Sequence, residues 1–184
     1  MGSGDLKSVG VFLRAVNVAG GRLLMADFKR VLAEAGYPGA QTVAATGNAV
    51  ISATAADAKL EGAIEAALAR DLGGAIEVFV RDRDALAAVV AGNPYADMAR
   101  TDPSHLVVVF LRGQPTPEAV AALQAKIKGA EVVAAGPRCL YACYVDGIGT
   151  SKLTAAVIER ALKDRGTARN WNTVRRMAEL TGAA

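Results

Sequence analysis

The chain predicts an α+β protein made of two ferredoxin-like (βαββαβ) subdomains related by an internal duplication, each with an extra helix, and three observations lead there. The tetrapeptide Val11-Phe12-Leu13-Arg14 recurs unchanged as Val109-Phe110-Leu111-Arg112, 98 residues later. The helical run Ile64-Glu65-Ala66-Ala67-Leu68 recurs as Ile158-Glu159-Arg160-Ala161-Leu162, displaced by 94. Two similar offsets in one order are the mark of a repeated unit. The third observation is the order of strand-like and helix-like periodicity, which runs β-α-β-β-α-β and then helix in each half, the split βαβ arrangement.

In the first half, the apolar run Ser8 to Ala15 predicts a strand, and a loop through Asn17 and Gly20-Gly21 leads to a helix carrying Met25, Phe28, Leu32 and Ala35 on one side. Gly36 terminates it as a glycine after a helix does. Two short strands, Gln41 to Ala45 and Ala49 to Ala53, flank the turn Thr46-Gly47-Asn48. Leu60, Ile64, Leu68 and Leu72 then mark an amphipathic helix ended by Gly73-Gly74. A strand from Ile76 to Val80 follows, and Asp82 caps a short helix through Val90.

The second half repeats the pattern. His105 to Leu111 predicts a strand, Thr116-Pro117-Glu118 a helix start with proline in its first turn, and Glu131 to Ala135 with Cys139 to Val145 a hairpin around Gly136-Pro137-Arg138. A helix from Ser151 to Lys163, the segment Gly166 to Asn170 and a last helix with Trp171, Val174 and Ala178 inward complete it. The predicted boundaries are 8–92 for the first subdomain, 93–103 for a linker holding Pro94 and Pro103, and 104–182 for the second subdomain with its C-terminal helix. An alanine-rich unit of about 90 residues buries little apolar surface alone, so the two are expected to share an interface.

Composition narrows the function classes. The 184 residues are 52% hydrophobic and 21% charged, which is globular, and only 5% aromatic, so the core must rest on Val, Leu, Ile and Ala. No apolar run reaches the roughly 20 residues that span a bilayer. Met1 to Asp5 has neither the basic nor the apolar region of a secretory signal, so the expected location is the cytoplasm, with no membrane partner. Cys139 and Cys143 lie on one face of a strand about 13 Å apart at strand rise. That is too far to bridge, and buried thiols suit a reducing compartment. The single histidine, His105, gives no metal-ligand spacing, so neither metal nor cofactor is expected. From Glu159 onward six basic residues face three acidic ones, whereas the first 158 residues balance. A modest basic end attracts a small anion, while nucleic acid calls for a broader basic stripe and is disfavoured.

Three segments could hold an anion. In Gly166 to Val174, Arg169 offers a fork of donors beside a helix start where Asn170, Asn172 and Thr173 gather; the competing reading is that these residues merely cap the helix. Between Arg14 and Arg22, a glycine loop containing Asn17 could wrap an anion with backbone N–H groups, or be a plain turn. In Asp146 to Lys152, Thr150 or Ser151 could cap a helix whose first turn extends Lys152 toward a phosphate or carboxylate. Asn48 would add an amide if its hairpin faces a cleft, but turns favour asparagine on their own account.

These segments also carry a resemblance. Phe12 to Gly20, Met25, Thr46-Gly47-Asn48-Ala49-Val50, Asn93-Pro94, Thr150-Ser151-Lys152-Leu153-Thr154 and Thr167 to Val174 resemble the bacterial family known as domain of unknown function 1697. The resemblance implies two ferredoxin-like subdomains and no established activity. The family pattern has glycine where Ala15 and Ala19 stand and a Gln-Ser pair where Ala45-Thr46 stand, so the first loop and the hairpin depart from it.

The function expected from these residues is binding of a small anionic ligand, a nucleotide or phosphorylated metabolite, at the subdomain junction, through Arg14, Asn17, Asn48, Ser151, Lys152, Arg169, Asn170, Asn172 and Thr173. Catalytic residues are not assigned, because no acid and base stand at a recognisable spacing; an enzyme would have to use backbone amides to stabilise charge in acyl or phosphoryl transfer. The alternative is an interaction module that docks a protein or nucleic acid through the basic C-terminal helix, where Arg175 and Arg176 are adjacent, or through a sheet edge.

Overall fold

Alternation of β-branched residues sets the first strand, β1 (Lys7–Arg14), so that Val9, Val11 and Leu13 enter the core on one face while Phe12 turns to the other. The structure is a computed structural model and describes residues 5–14, 17–18 and 21–183; the side chains of 17, 18, 21 and 22 are not described. A two-stranded pair follows, β2 (Asn17–Val18) with β3 (Gly21–Arg22). Helix α1 (Met25–Glu34) buries Phe28, Val31 and Leu32, and the chain leaves it through Gly36 at φ +101°, a conformation glycine adopts without strain. Strands β4 (Gln41–Val43) and β5 (Asn48–Ala53) form the expected hairpin. Helix α2 (Ala58–Leu72) is capped by Asp57, whose carboxylate accepts the Leu60 N–H at 2.9 Å, and presents Leu60, Ile64 and Leu68 to the sheet. Strand β6 (Glu77–Asp82) leads into α3 (Arg83–Ala91), where Asp82 accepts the Ala85 N–H at 2.9 Å.

The segment expected to be a plain linker contains a helix, α4 (Ala96–Thr101). Its prolines, Pro94 and Pro103, sit outside the helix, where they punctuate it without entering it.

Strand β7 (Leu106–Leu111) is buried along its whole length: Val107, Val109 and Leu111 face the helices, and Leu106, Val108 and Phe110 face the other side. Helix α5 (Pro117–Lys126) begins at Thr116, which accepts the Ala119 N–H at 3.2 Å. Strands β8 (Val132–Gly136) and β9 (Cys139–Cys143) make the second hairpin. Helix α6 (Ala155–Leu162), strand β10 (Gly166–Asn170) and helix α7 (Trp171–Thr181) complete the chain.

The two four-stranded sheets are antiparallel throughout, in the orders β4-β5-β1-β6 and β10-β7-β9-β8. Counted within each unit, both read fourth, first, third, second. The register agrees as well. Gly10 lies opposite Arg81 and Phe12 opposite Phe79 in the first sheet; Val108 lies opposite Arg169 and Phe110 opposite Thr167 in the second. Contacts divide the chain into Met1–Ala87 with Met177–Ala184, and Ala88–Arg176, so the boundaries fall inside α3 and α7.

Candidate functional site

A strand at the rim of a sheet carries outward N–H and C=O groups that need partners. On β6 those partners are supplied from α2. Glu65 accepts the Val78 N–H at 2.8 Å, and Glu61, only 4% exposed, accepts the Val80 N–H at 3.0 Å. The Val80 carbonyl accepts from the Arg81 guanidinium at 2.7 Å.

On β10 the matching groups are met only in part. Glu159 of α6 accepts the Gly166 N–H at 3.1 Å, and Arg169 donates to the Ala168 carbonyl at 2.7 Å. Strand parity turns the Ala168 N–H the same way as that of Gly166. At the offset that takes Glu65 to Glu159, however, Glu61 becomes Ala155, and a methyl group accepts nothing. Ala168 is exposed and borders a cleft of about 460 Å³ together with Val107, Tyr144, Ile148, Leu153 and Thr154.

A second cleft in the same unit, of about 400 Å³, opens between the end of α5 and the segment before α6. Leu123, Ile127, Leu153 and Val157 make its apolar floor, and Lys126, Lys128 and Lys152 stand around it. Glu131 and Asp146 also line it. The Ser151 hydroxyl donates to Glu131 and holds that carboxyl below the ordinary carboxylate range. Ser151 and Leu153 belong to both clefts, so the strip from Thr150 to Thr154 is their shared wall.

The sequence-predicted residues divide accordingly. Ser151 and Lys152 meet in the lysine cleft, and Ser151, Arg169 and Asn170 border its neighbour. Arg14, Asn17 and Asn48 belong to the other unit. Arg14 is tied to Glu77 at 2.7 Å, which accounts for its charge locally. Asn48 is fully buried and donates to the Val43 carbonyl at 3.0 Å and to Thr46 Oγ1 at 2.9 Å, so it closes its hairpin. In the proposed first-loop site, residues 15, 16, 19 and 20 and the side chain of Asn17 lie outside the described residues.

Two expectations about the second unit are corrected. Neither Thr150 nor Ser151 caps α6. The cap is Thr154, accepting the Val157 N–H at 3.4 Å, and Lys152 lies before the helix. Ser151 instead accepts the Leu153 N–H at 3.0 Å, which shapes the approach to that cap. Arg169 is not a fork at a helix start. It is a strand residue, 9% exposed, whose guanidinium donates to Thr167 Oγ1 at 2.8 Å, on the face that Val108 and Tyr141 share. Burial pulls it down to about 10, still charged at neutral pH. Asn170 is a cap, its Oδ1 accepting the Thr173 N–H at 3.0 Å, while Asn172 is exposed.

Cys139 and Cys143 are buried thiols on one face of β9, neither of them in a disulfide, and burial pushes Cys143 up to about 11. His105 pairs with Asp102 at 2.6 Å at the head of β7. Among the described residues no His, Cys, Asp and Glu side chains form a group of three or more suited to a metal, and no helix is long and apolar enough to cross a membrane.

Sequence reading passed over Lys126, Lys128 and the glutamate pattern. The signal for the latter was present, since Ile64-Glu65 and Ile158-Glu159 are the repeat itself and Glu61 against Ala155 lies three positions upstream of each isoleucine.

The fold and its edges define an α+β protein of two similarly wired four-stranded antiparallel sheets, each with helices on one face. The family whose description is "Protein of unknown function (DUF1697)" matches residues 6–141, and the chain belongs to it. Among solved structures, the conserved bacterial protein SP0830 from Streptococcus pneumoniae is similar, with a TM-score of 0.73 at 16% identity, over 96% of this chain and 99% of that one. At that identity the likeness concerns the fold alone. No curated protein matches the chain.

Proposed function

We propose that the chain carries two copies of one ferredoxin-like βαββαβ unit and that the second copy binds a small anionic ligand, a nucleotide or phosphorylated metabolite, in the lysine cleft. The like strand order and the like register of the two sheets support the first part. The observation that carries the second is three lysines, Lys126, Lys128 and Lys152, around an apolar floor.

A nucleoside phosphate fits this combination chemically. Its base covers Leu123, Ile127, Leu153 and Val157, removing apolar surface from water. Its phosphates meet the ammonium groups, each a compact charge with rotatable donors. Asp146 can accept a sugar hydroxyl, while Glu131 is occupied in holding Ser151. The buried thiols favour the cytoplasm as the place where this binding occurs.

Thermal unfolding against a panel of nucleotides and sugar phosphates tests the reading. A ligand present at about a hundred times its Kd adds about 2.7 kcal/mol of apparent stability. The expected result is a rise in Tm for at least one phosphorylated compound, weakened by salt and lost in the Lys126→Ala, Lys152→Ala double variant. A panel without effect, or a shift that the double variant retains, contradicts it.

A further inference from the structure

The open backbone donor on β10 points to a second kind of site, and its argument does not rest on the lysine cleft. In the first unit the outward N–H of Val80 ends on a carboxylate oxygen of Glu61 at 3.0 Å, and the outward carbonyl of the same residue is occupied by Arg81. In the second unit the corresponding carbonyl, on Ala168, is occupied by Arg169, and the neighbouring N–H, on Gly166, by Glu159. Those two bonds are reproduced, and the bond from Glu61 is not: Ala155 replaces Glu61, and a cleft of about 460 Å³ that Ala155 and Ala168 both border lies where the glutamate side chain would have been.

We propose that this cleft is a seat for a small-molecule carboxylate, whose oxygen accepts the Ala168 N–H in the place that Glu61 takes at Val80. The first unit supplies the chemical precedent, since the group that satisfies this backbone position there is a carboxylate. The surroundings select among ligands. Val107, Tyr144, Ile148 and Leu153 offer apolar wall, so the acid carries a short apolar body. No lysine lines this cleft, and Arg169, which borders it, donates from its guanidinium to Thr167 and the Ala168 carbonyl, so a phosphate dianion does not find the counter-charge it needs. A docked peptide strand fits poorly too, because strand pairing requires the carbonyl as well as the N–H, and the Ala168 carbonyl is taken.

Titration of the 15N-labelled full chain with sodium butyrate reads the seat directly. The expected result is a saturable displacement of the Ala168 amide resonance by butyrate, with none from n-butanol, sodium chloride or inorganic phosphate. Ala155→Glu restores the Glu61 arrangement, so this variant should lose the butyrate response, whereas Lys126→Ala should keep it. An Ala168 resonance that butyrate does not move saturably, that moves equally with butanol or phosphate, or that responds alike in folded Ala155→Glu overturns the proposal. The titration of the unaltered chain decides the matter by itself if the variant does not fold. Failure of the nucleotide panel leaves this titration unaffected, so the two readings fall separately.

Discussion

On β6 the outward N–H groups of Val78 and Val80 both end on glutamates of α2, whereas on β10 only that of Gly166 ends on a glutamate of α6 and that of Ala168 faces a cleft. The scaffolding around them is the same in kind: a helix laid along a rim strand, an arginine folded back onto the preceding carbonyl, and an Asp82 or Asn170 cap at the next helix. At the second outward N–H the difference is one side chain on one helix, Glu61 against Ala155. A sheet edge closed by side chains is inert, and loss of a single carboxylate turns one backbone donor into a binding group without disturbing the strand.

The core positions on either side of this edge also trade sizes. Val78 corresponds to Gly166, and Gly10 to Val108, so each sheet has one glycine where the other has valine. A Cβ on Gly166 would lie 2.6 Å from Val109 Cγ1 and 3.0 Å from the Phe110 carbonyl oxygen, which is backbone and cannot step aside. The largest expected effect is therefore that of Gly166→Val, a loss of about 3 kcal/mol by overpacking, measured by urea unfolding. A near-neutral result would mean that the two rim strands are set at different heights above their helices.

Next comes Glu61→Ala. It strands the Val80 N–H beneath a buried helix face and should cost about 2 kcal/mol, with Glu61→Gln costing less because an acceptor oxygen remains. Glu159→Ala, at a half-buried position, should cost about 1 kcal/mol by the same measurement. Equal losses for Glu61→Ala and Glu159→Ala would erase the distinction drawn between the closed and open edges. The smallest effect is a gain. Ala155→Glu supplies the missing acceptor in the first turn of α6, where negative charge is also favoured by the helix dipole, and should stabilise the chain by about 0.5 kcal/mol.

Much of this architecture was legible in the residues because its causes are local. The Val-rich repeat placed β1 and β7, Gly36 ended α1, and Asp82 announced α3. Where several residues compete for one role, local pattern does not choose. Ser151 and Thr154 are both good caps, and the tertiary position of Ile158 in the core selected Thr154. The direction of Arg169 depended on strand parity against β7, and whether Lys152 met Lys126 and Lys128 depended on how α5 and the segment before α6 come together. The α4 turn was hidden because Pro94 and Pro103 bracket it, and breakers beside a helix look like breakers within a loop.

Amide hydrogen exchange at two residues tests the central contrast most directly. Val80 and Ala168 occupy the same place on their rim strands, one N–H bonded to Glu61 and the other facing a cleft. The account predicts a strongly protected Val80 amide and a fast-exchanging Ala168 amide in the same sample, with Gly166 protected beside it. Equal protection at Val80 and Ala168 would contradict it.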